Sequence, residues 1–202
     1  MRRTVSCVLA IWLLTACGAN DADSANTLTL PPTTTGPPTL SDAPTSSDDA
    51  AAPSRNERNN IVKQFGELAR IVNESSGADT LSFTVDSIEV DPPCSDNSLP
   101  PENGHFLVLN MRVTTGSDLS SVGGTFFLTA GDWRVVGADG ITETGLATGP
   151  AYGCIEQSER ISDVPLGAGQ QFVGKIVLDS KNPSGAAIYA PPYVPGGWEW
   201  VF

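Results

Sequence analysis

Between His105 and Thr115 every second residue is apolar: Leu107, Leu109, Met111 and Val113. A period of two places those side chains on one face of a pleated strand, against a core. Phe106 and Val108 make the opposite face apolar at one end, which marks a central strand. Leu81, Phe83 and Val85 alternate in the same way, and Ile88 and Val90 alternate on the other phase. The slip falls at Asp86–Ser87 and predicts a β-bulge, where one extra residue shifts the phase. Further strands are expected over residues 125–129, 133–138, 171–179, 187–189 and 198–202, with Gly137-Ala138-Asp139-Gly140 as a turn. Many short strands punctuated by Gly, Pro and Asp predict an antiparallel sandwich or barrel, in one mainly β domain.

The flanking segments read differently. From Asn56 to Asn73 the apolar residues Ile61, Val62, Phe65, Leu68, Ala69 and Val72 recur at helical spacing, with Glu57, Lys63, Glu67 and Arg70 between them. This predicts a short N-terminal amphipathic helix capping the domain, weakened at Gly66 by about 1 kcal/mol. Residues 18–54 are Thr, Ser, Pro, Ala and Asp in the main, without an aromatic residue, Lys or Arg. Such a segment cannot bury enough apolar surface to offset its chain entropy and is expected to be disordered. Its 37 residues give a root-mean-square span of about 35 Å as a flexible coil, and roughly 120 Å fully extended. The Thr/Pro clusters at 31–35 and 37–39 are candidate glycosylation sites.

At the N-terminus, Arg2 and Arg3 precede the apolar run Val8-Leu9-Ala10-Ile11-Trp12-Leu13-Leu14. The run is far shorter than the roughly 20 residues of a spanning helix. It reads as a signal peptide. Leu14-Thr15-Ala16-Cys17 then resembles the lipobox of bacterial lipoproteins: an aliphatic residue, two small ones and a cysteine. The resemblance implies cleavage before Cys17 and a diacylglyceryl group on its sulfur, hence a protein lipid-anchored to the cell membrane on its extracytoplasmic face. The implied organisation is a lipoprotein signal peptide at 1–16, a lipidated linker at 17–55 and the folded domain at 56–202. A plain secretory signal with an incidental cysteine is the alternative.

Cleavage takes Arg2 and Arg3 and leaves nine basic against 23 acidic groups, a net charge of about −14. A chain so acidic repels phosphate backbones, which argues against nucleic acid as a partner. Of four cysteines, Cys7 leaves with the signal and Cys17 is the lipid acceptor. Cys94 and Cys154 remain, and in an oxidising compartment they are expected to pair. Two free buried thiols are the alternative. Together with the single His105 they supply too few ligands for zinc.

Several strings resemble the immunoglobulin-like domains of unknown function on surface lipoproteins of Gram-positive actinobacteria, whose fold is similar to that of the secreted mycobacterial immunoprotective antigens. These are Phe83-Thr84-Val85-Asp86-Ser87-Ile88, Gly104-His105-Phe106-Leu107-Val108-Leu109, Leu166-Gly167-Ala168-Gly169-Gln170, Gly174-Lys175-Ile176-Val177-Leu178-Asp179 and Gly197-Trp198-Glu199-Trp200. The resemblance covers roughly residues 56–202. It implies an immunoglobulin-like β-sandwich in the cell envelope and no particular activity. Antibody-type domains set two cysteines on facing strands around a core tryptophan. Here Cys94 follows Asp91-Pro92-Pro93 and Cys154 follows Tyr152, so the bridge is expected to pin loops.

Catalytic chemistry finds little purchase. Acid–base and triad mechanisms recruit histidine, and His105 reads as a surface residue at the start of a strand. There is no Gly-x-Ser-x-Gly string and no P-loop. Glu156, Glu159 and Asp163 form an acidic cluster near Cys154, read as a solvated face with carboxylate-pair catalysis as the functional alternative. Asp86, Glu89, Asp91 and Asp96 offer oxygen ligands to calcium but lack the spacing of a calcium loop. Trp198 and Trp200 share a strand face with Phe202 and are expected in the core, sugar stacking being the alternative. The expected function is that of a non-enzymatic envelope protein without cofactor or metal, binding a protein or a cell-wall component. A carboxylate-dependent glycan hydrolase and a structural or stress-related envelope protein without a discrete ligand are the rivals.

Overall fold

The computed structural model describes residues 54–95, 98–161 and 164–202. The signal peptide, Cys17 and residues 18–53 of the linker lie outside these residues, as do Asp96 and Asp163.

Two sheets pack face to face. One holds β1 (Asn60–Val62), β9 (Gly197–Val201), β8 (Gly185–Tyr189), β5 (Trp133–Gly137) and β6 (Thr142–Glu143), in that order. The other holds β2 (Ala69–Val72), β3 (Asp79–Val90), β4 (His105–Thr115) and β7 (Gln171–Ser180). Every pairing is antiparallel except β1 with β9. The inner faces meet in one core. Leu81, Phe83, Val85, Leu107, Leu109 and Met111 come from the four-stranded sheet, and Trp133, Val135, Tyr189, Trp198 and Trp200 from the five-stranded one. Phe83 sits edge-on to both Tyr189 and Trp198, each ring centre 5.3 Å away. Rings of this kind bury roughly 150–250 Å² each, about 4–6 kcal/mol of transfer free energy at about 25 cal/mol per Å².

The alternation in β3 and β4 is realised as read. Ladder pairing shifts between Val85 and Ser87, so Asp86 is the extra residue of a bulge. Beyond it Ile88 faces Leu109 and Val90 faces Leu107, which explains the change of phase. β4 is an inner strand of its sheet, and the turn at Gly137–Gly140 leads into β6, too short to read from the sequence.

The expected N-terminal helix is not formed; its residues make β1 and β2. Gly66 lies at φ 77°, in the left-handed region, and interrupts any helix there. Long-range ladders to Gly197–Glu199 and to Phe83–Asp79 satisfy the backbone instead. Only part of the apolar series turns inward: Ala69 is buried, whereas Val62, Phe65, Leu68 and Val72 are more than two-fifths exposed. The β-branched pairs Ile61-Val62 and Ile71-Val72 were the better guide. The strand expected at 125–129 is also absent. Phe126 and Leu128 bury as an alternating segment would, but the backbone makes a single bridge, from Phe126 to Leu166.

Candidate functional site

The outer face of the four-stranded sheet is where the sequence and the fold meet least simply. Phe106, Val108 and Val177 point outward there, yet all three are buried. Their cover is a second small core of Ala151, Cys154 and Ile155, with Cys94 packed against it. Thus Phe106 and Val108 are apolar because a loop roof lies on them. Sheet centrality alone does not account for it.

The roof is built from two segments. One follows β3. Asp91 starts it in the left-handed region at φ 50°, a conformation Asp tolerates. Its carboxylate accepts from the Phe106 amide at 2.9 Å and meets His105 Nδ1 at 2.7 Å. Burial pushes the Asp91 carboxyl up, but those two hydrogen bonds outweigh it and hold the group below the usual carboxylate range. The other segment is the short helix α1 (Gly149–Gly153). Thr148 caps it by accepting from the Ala151 amide at 3.2 Å, and a proline stands in its first turn. Cys94 and Cys154 are joined by a disulfide between these segments. The Ser95 amide donates to the Cys154 carbonyl at 2.8 Å beside it. Cys154 caps the C-terminus of α1, so the bridge pins a loop to a helix end.

Asp179, at the end of β7 and fully buried, ties both segments to the sheet. It accepts from the amides of Glu102 (2.7 Å) and Asn103 (2.9 Å) and from the Thr148 hydroxyl (2.7 Å). These donors compensate its burial.

Between α1, the 3-10 turn Ala130–Asp132 and β7 lies a cleft of about 310 Å³. Its lining includes Ala130, Ala147, Thr148, Ala151, Val177 and, at the mouth, Tyr152, Arg160 and Lys175. The Arg160 guanidinium lies 4.2 Å from the centre of the Tyr152 ring. It also donates to the carbonyls of Tyr152 (2.7 Å) and Ile155 (3.0 Å). Lys175 Nζ meets Glu159 Oε1 at 2.5 Å. Gly174 lets the 159–161 segment lie this close, since a Cβ there would stand 2.9 Å from the Glu159 carbonyl oxygen and 3.0 Å from Ile161.

Among the described residues, the acidic residues singled out above are each exposed or held by a donor of their own, although Asp86 and Glu159 line one hollow. Glu159 pairs with Lys175, and Glu156 is exposed. Asp86 takes a two-pronged pair from Arg112, at 2.7 and 2.8 Å, which holds its carboxyl below the ordinary range despite partial burial. Glu89 accepts from Asn110 at 2.7 Å. Among the described residues no group of three His, Cys, Asp or Glu side chains could hold a metal ion. Trp198 and Trp200 are core residues.

Sequence reasoning passed over Glu199. It is buried on the outer face of the five-stranded sheet, 2% exposed, and accepts from Asn56 at 2.8 Å, Asn60 at 3.1 Å and the Arg58 guanidinium. Its position between Trp198 and Trp200 was the available signal. An acid between two core tryptophans of one strand must point to the other face.

No family model matches the chain, and no curated protein matches it. Among solved structures it is similar to a secreted protein from Mycobacterium tuberculosis, MPT63. The TM-score is 0.46 at 18% identity, covering 71% of this chain and 98% of that one.

Proposed function

We propose that the chain is a lipid-anchored protein of the extracytoplasmic face of the cell membrane. Its immunoglobulin-like sandwich is a non-enzymatic binding module for an envelope protein or cell-wall component, carried on the 17–55 linker. The Cys94–Cys154 bridge carries this reading. Disulfides form and persist in oxidising compartments, and this one stands downstream of a signal-like run ending in Leu14-Thr15-Ala16-Cys17. The binding role draws on the cleft that the bridge helps to roof, an apolar hollow with a few convergent polar groups. The non-enzymatic reading draws on the carboxylates: Asp86, Glu89, Asp91 and Glu159 are each taken up by a protein donor, and none lines the cleft.

The test is site-specific photo-crosslinking on intact cells. A photoreactive residue at Tyr152, half-exposed at the cleft mouth, should capture one defined envelope component. The same probe at Val201, two-thirds exposed on the other sheet, should not. Identical capture from both positions, or release of soluble glycan fragments when purified chain meets cell walls, would contradict the reading.

A further inference from the structure

The pair Asn-Gly occurs once in the chain, at Asn103–Gly104. It falls on the tie that holds the roof to the sheet. The Asn103 amide donates to Asp179 Oδ1 at 2.9 Å, and the side-chain Nδ2 donates to the Asp179 carbonyl oxygen at 2.8 Å. Asparagine is thermally labile, and most so before glycine, where no side chain shields the next backbone nitrogen. We propose that Asn103 is a self-modification site: the Gly104 nitrogen converts the Asn103 carboxamide to an acid through a cyclic imide, with water as reactant, and the acid releases the roof from Asp179.

The Gly104 amide donates to none of the described residues, so no hydrogen bond among them withholds the nucleophile. Gly104 is exposed, and Asn103 borders an open hollow of about 450 Å³ beside Glu143, Lys181 and Asn182, so water reaches the carboxamide. Attack from the adjoining residue replaces an encounter between two molecules. In the first step the Gly104 nitrogen bonds to Asn103 Cγ and the Cγ–Nδ2 bond breaks. The departing nitrogen takes the Gly104 amide proton and leaves as ammonia. Water then opens the ring. Addition at Cγ gives aspartate, and addition at the main-chain carbonyl gives isoaspartate, whose backbone runs through Cγ. The hydrogen bond from Nδ2 to Asp179 restrains the carboxamide, so the folded chain reacts more slowly than a free peptide. The product undoes the tie. A carboxylate at position 103 has no proton to give the Asp179 carbonyl, and it sets a like charge beside a buried carboxylate. Isoaspartate also lengthens the backbone between the two amides that Asp179 holds and β4. The Thr148 hydroxyl and the disulfide still hold α1, so the loosening concentrates in residues 98–104.

The experiment incubates the mature chain, its bridge oxidised, beside a synthetic peptide of residues 101–107, at pH 7 and at pH 8. Residue 103 is followed by peptide mass and by chromatographic separation of its aspartate and isoaspartate forms. Both samples should exchange amide for acid at residue 103, the peptide first. Both should convert faster at pH 8, because the attacking nitrogen must lose its proton. The product should be a mixture of the two forms. The converted chain should melt about 4 °C or more below the unconverted one and exchange its amides faster over residues 98–104. Asn103→Asp should show both changes without incubation. Asn103→Gln keeps a carboxamide but closes a larger ring far less readily, so its mass and melting temperature should hold through the same incubation. A folded chain that stays unconverted through an incubation several-fold longer than the peptide needs would overturn the proposal, as would a product of aspartate alone. So would an Asn103→Asp chain that melts and exchanges like wild type.

Discussion

Opening the Cys94–Cys154 bridge should lower the melting temperature by about 8–16 °C without unfolding the domain at 25 °C. The two cysteines are 60 residues apart. The chain-entropy model gives about 4 kcal/mol for a loop of that length, an upper figure. A domain of this size is stable by about 5–15 kcal/mol, and each kcal/mol moves its midpoint by about 2–4 °C. The main core survives reduction, because its residues form a cluster separate from the one that the two cysteines join. What loosens is the small core over Phe106, Val108 and Val177. Hydrogen exchange should therefore quicken in residues 91–104 and 149–158 far more than in residues 106–113. The comparison is between oxidised chain and the Cys94→Ala/Cys154→Ala pair, after a thiol titration. Two reactive thiols in the oxidised protein would end the argument. Unchanged exchange in the two roof segments would remove the bridge's structural role.

Glu199→Ala should cost about 2–4 kcal/mol, the second large effect. The carboxylate is buried and holds three side chains from the segment before β1 and from β1 itself: Asn56, Arg58 and Asn60. Removing it leaves their donors facing a void, whereas Arg58→Ala should cost only about 1 kcal/mol because that guanidinium is about half exposed. The same site sets a pH dependence. Burial pushes the Glu199 carboxyl up, but the hydrogen bonds from Arg58, Asn56 and Asn60 prevail and hold it below its ordinary value. A carboxyl depressed on folding adds stability above its unfolded pKa of about 4.3. That stability is lost as pH falls through the lower folded value. Wild type should accordingly lose stability below about pH 4 more steeply than Glu199→Gln. Denaturant midpoints across pH 2–7 measure it, and parallel curves for the two proteins would refute the assignment.

How far these features could be read in advance depended on whether the information was local. β4 and the bulge at Asp86 were legible, because alternation between two facing strands is written along the chain itself. β1 and β2 were not. Their ladders are made with residues as distant as Gly197, and the apolar spacing from Ile61 to Val72 imitated a helix, although Val62, Phe65, Leu68 and Val72 stand exposed in the fold. The cysteine pairing was legible from compartment and number. Its setting was not, since α1 has only five residues and leaves no periodic trace. The cleft was invisible for a related reason: Ala130, Ala151, Arg160 and Lys175 come from separate segments that only the fold brings together. Of the acidic residues conspicuous in the sequence, Asp86, Glu89, Asp91 and Glu159 are taken up by protein donors, while Glu199, set between two tryptophans, and Asp179, at the end of an apolar run, organise the structure.

The central claim, a chain tethered to the membrane through Cys17, is tested most directly by the mass of the mature N-terminal peptide from the membrane fraction. That peptide should begin at Cys17, lack residues 1–16 and carry a diacylglyceryl group on the cysteine sulfur. A mature chain that begins at another residue, or that carries Cys17 with a free thiol, would contradict it.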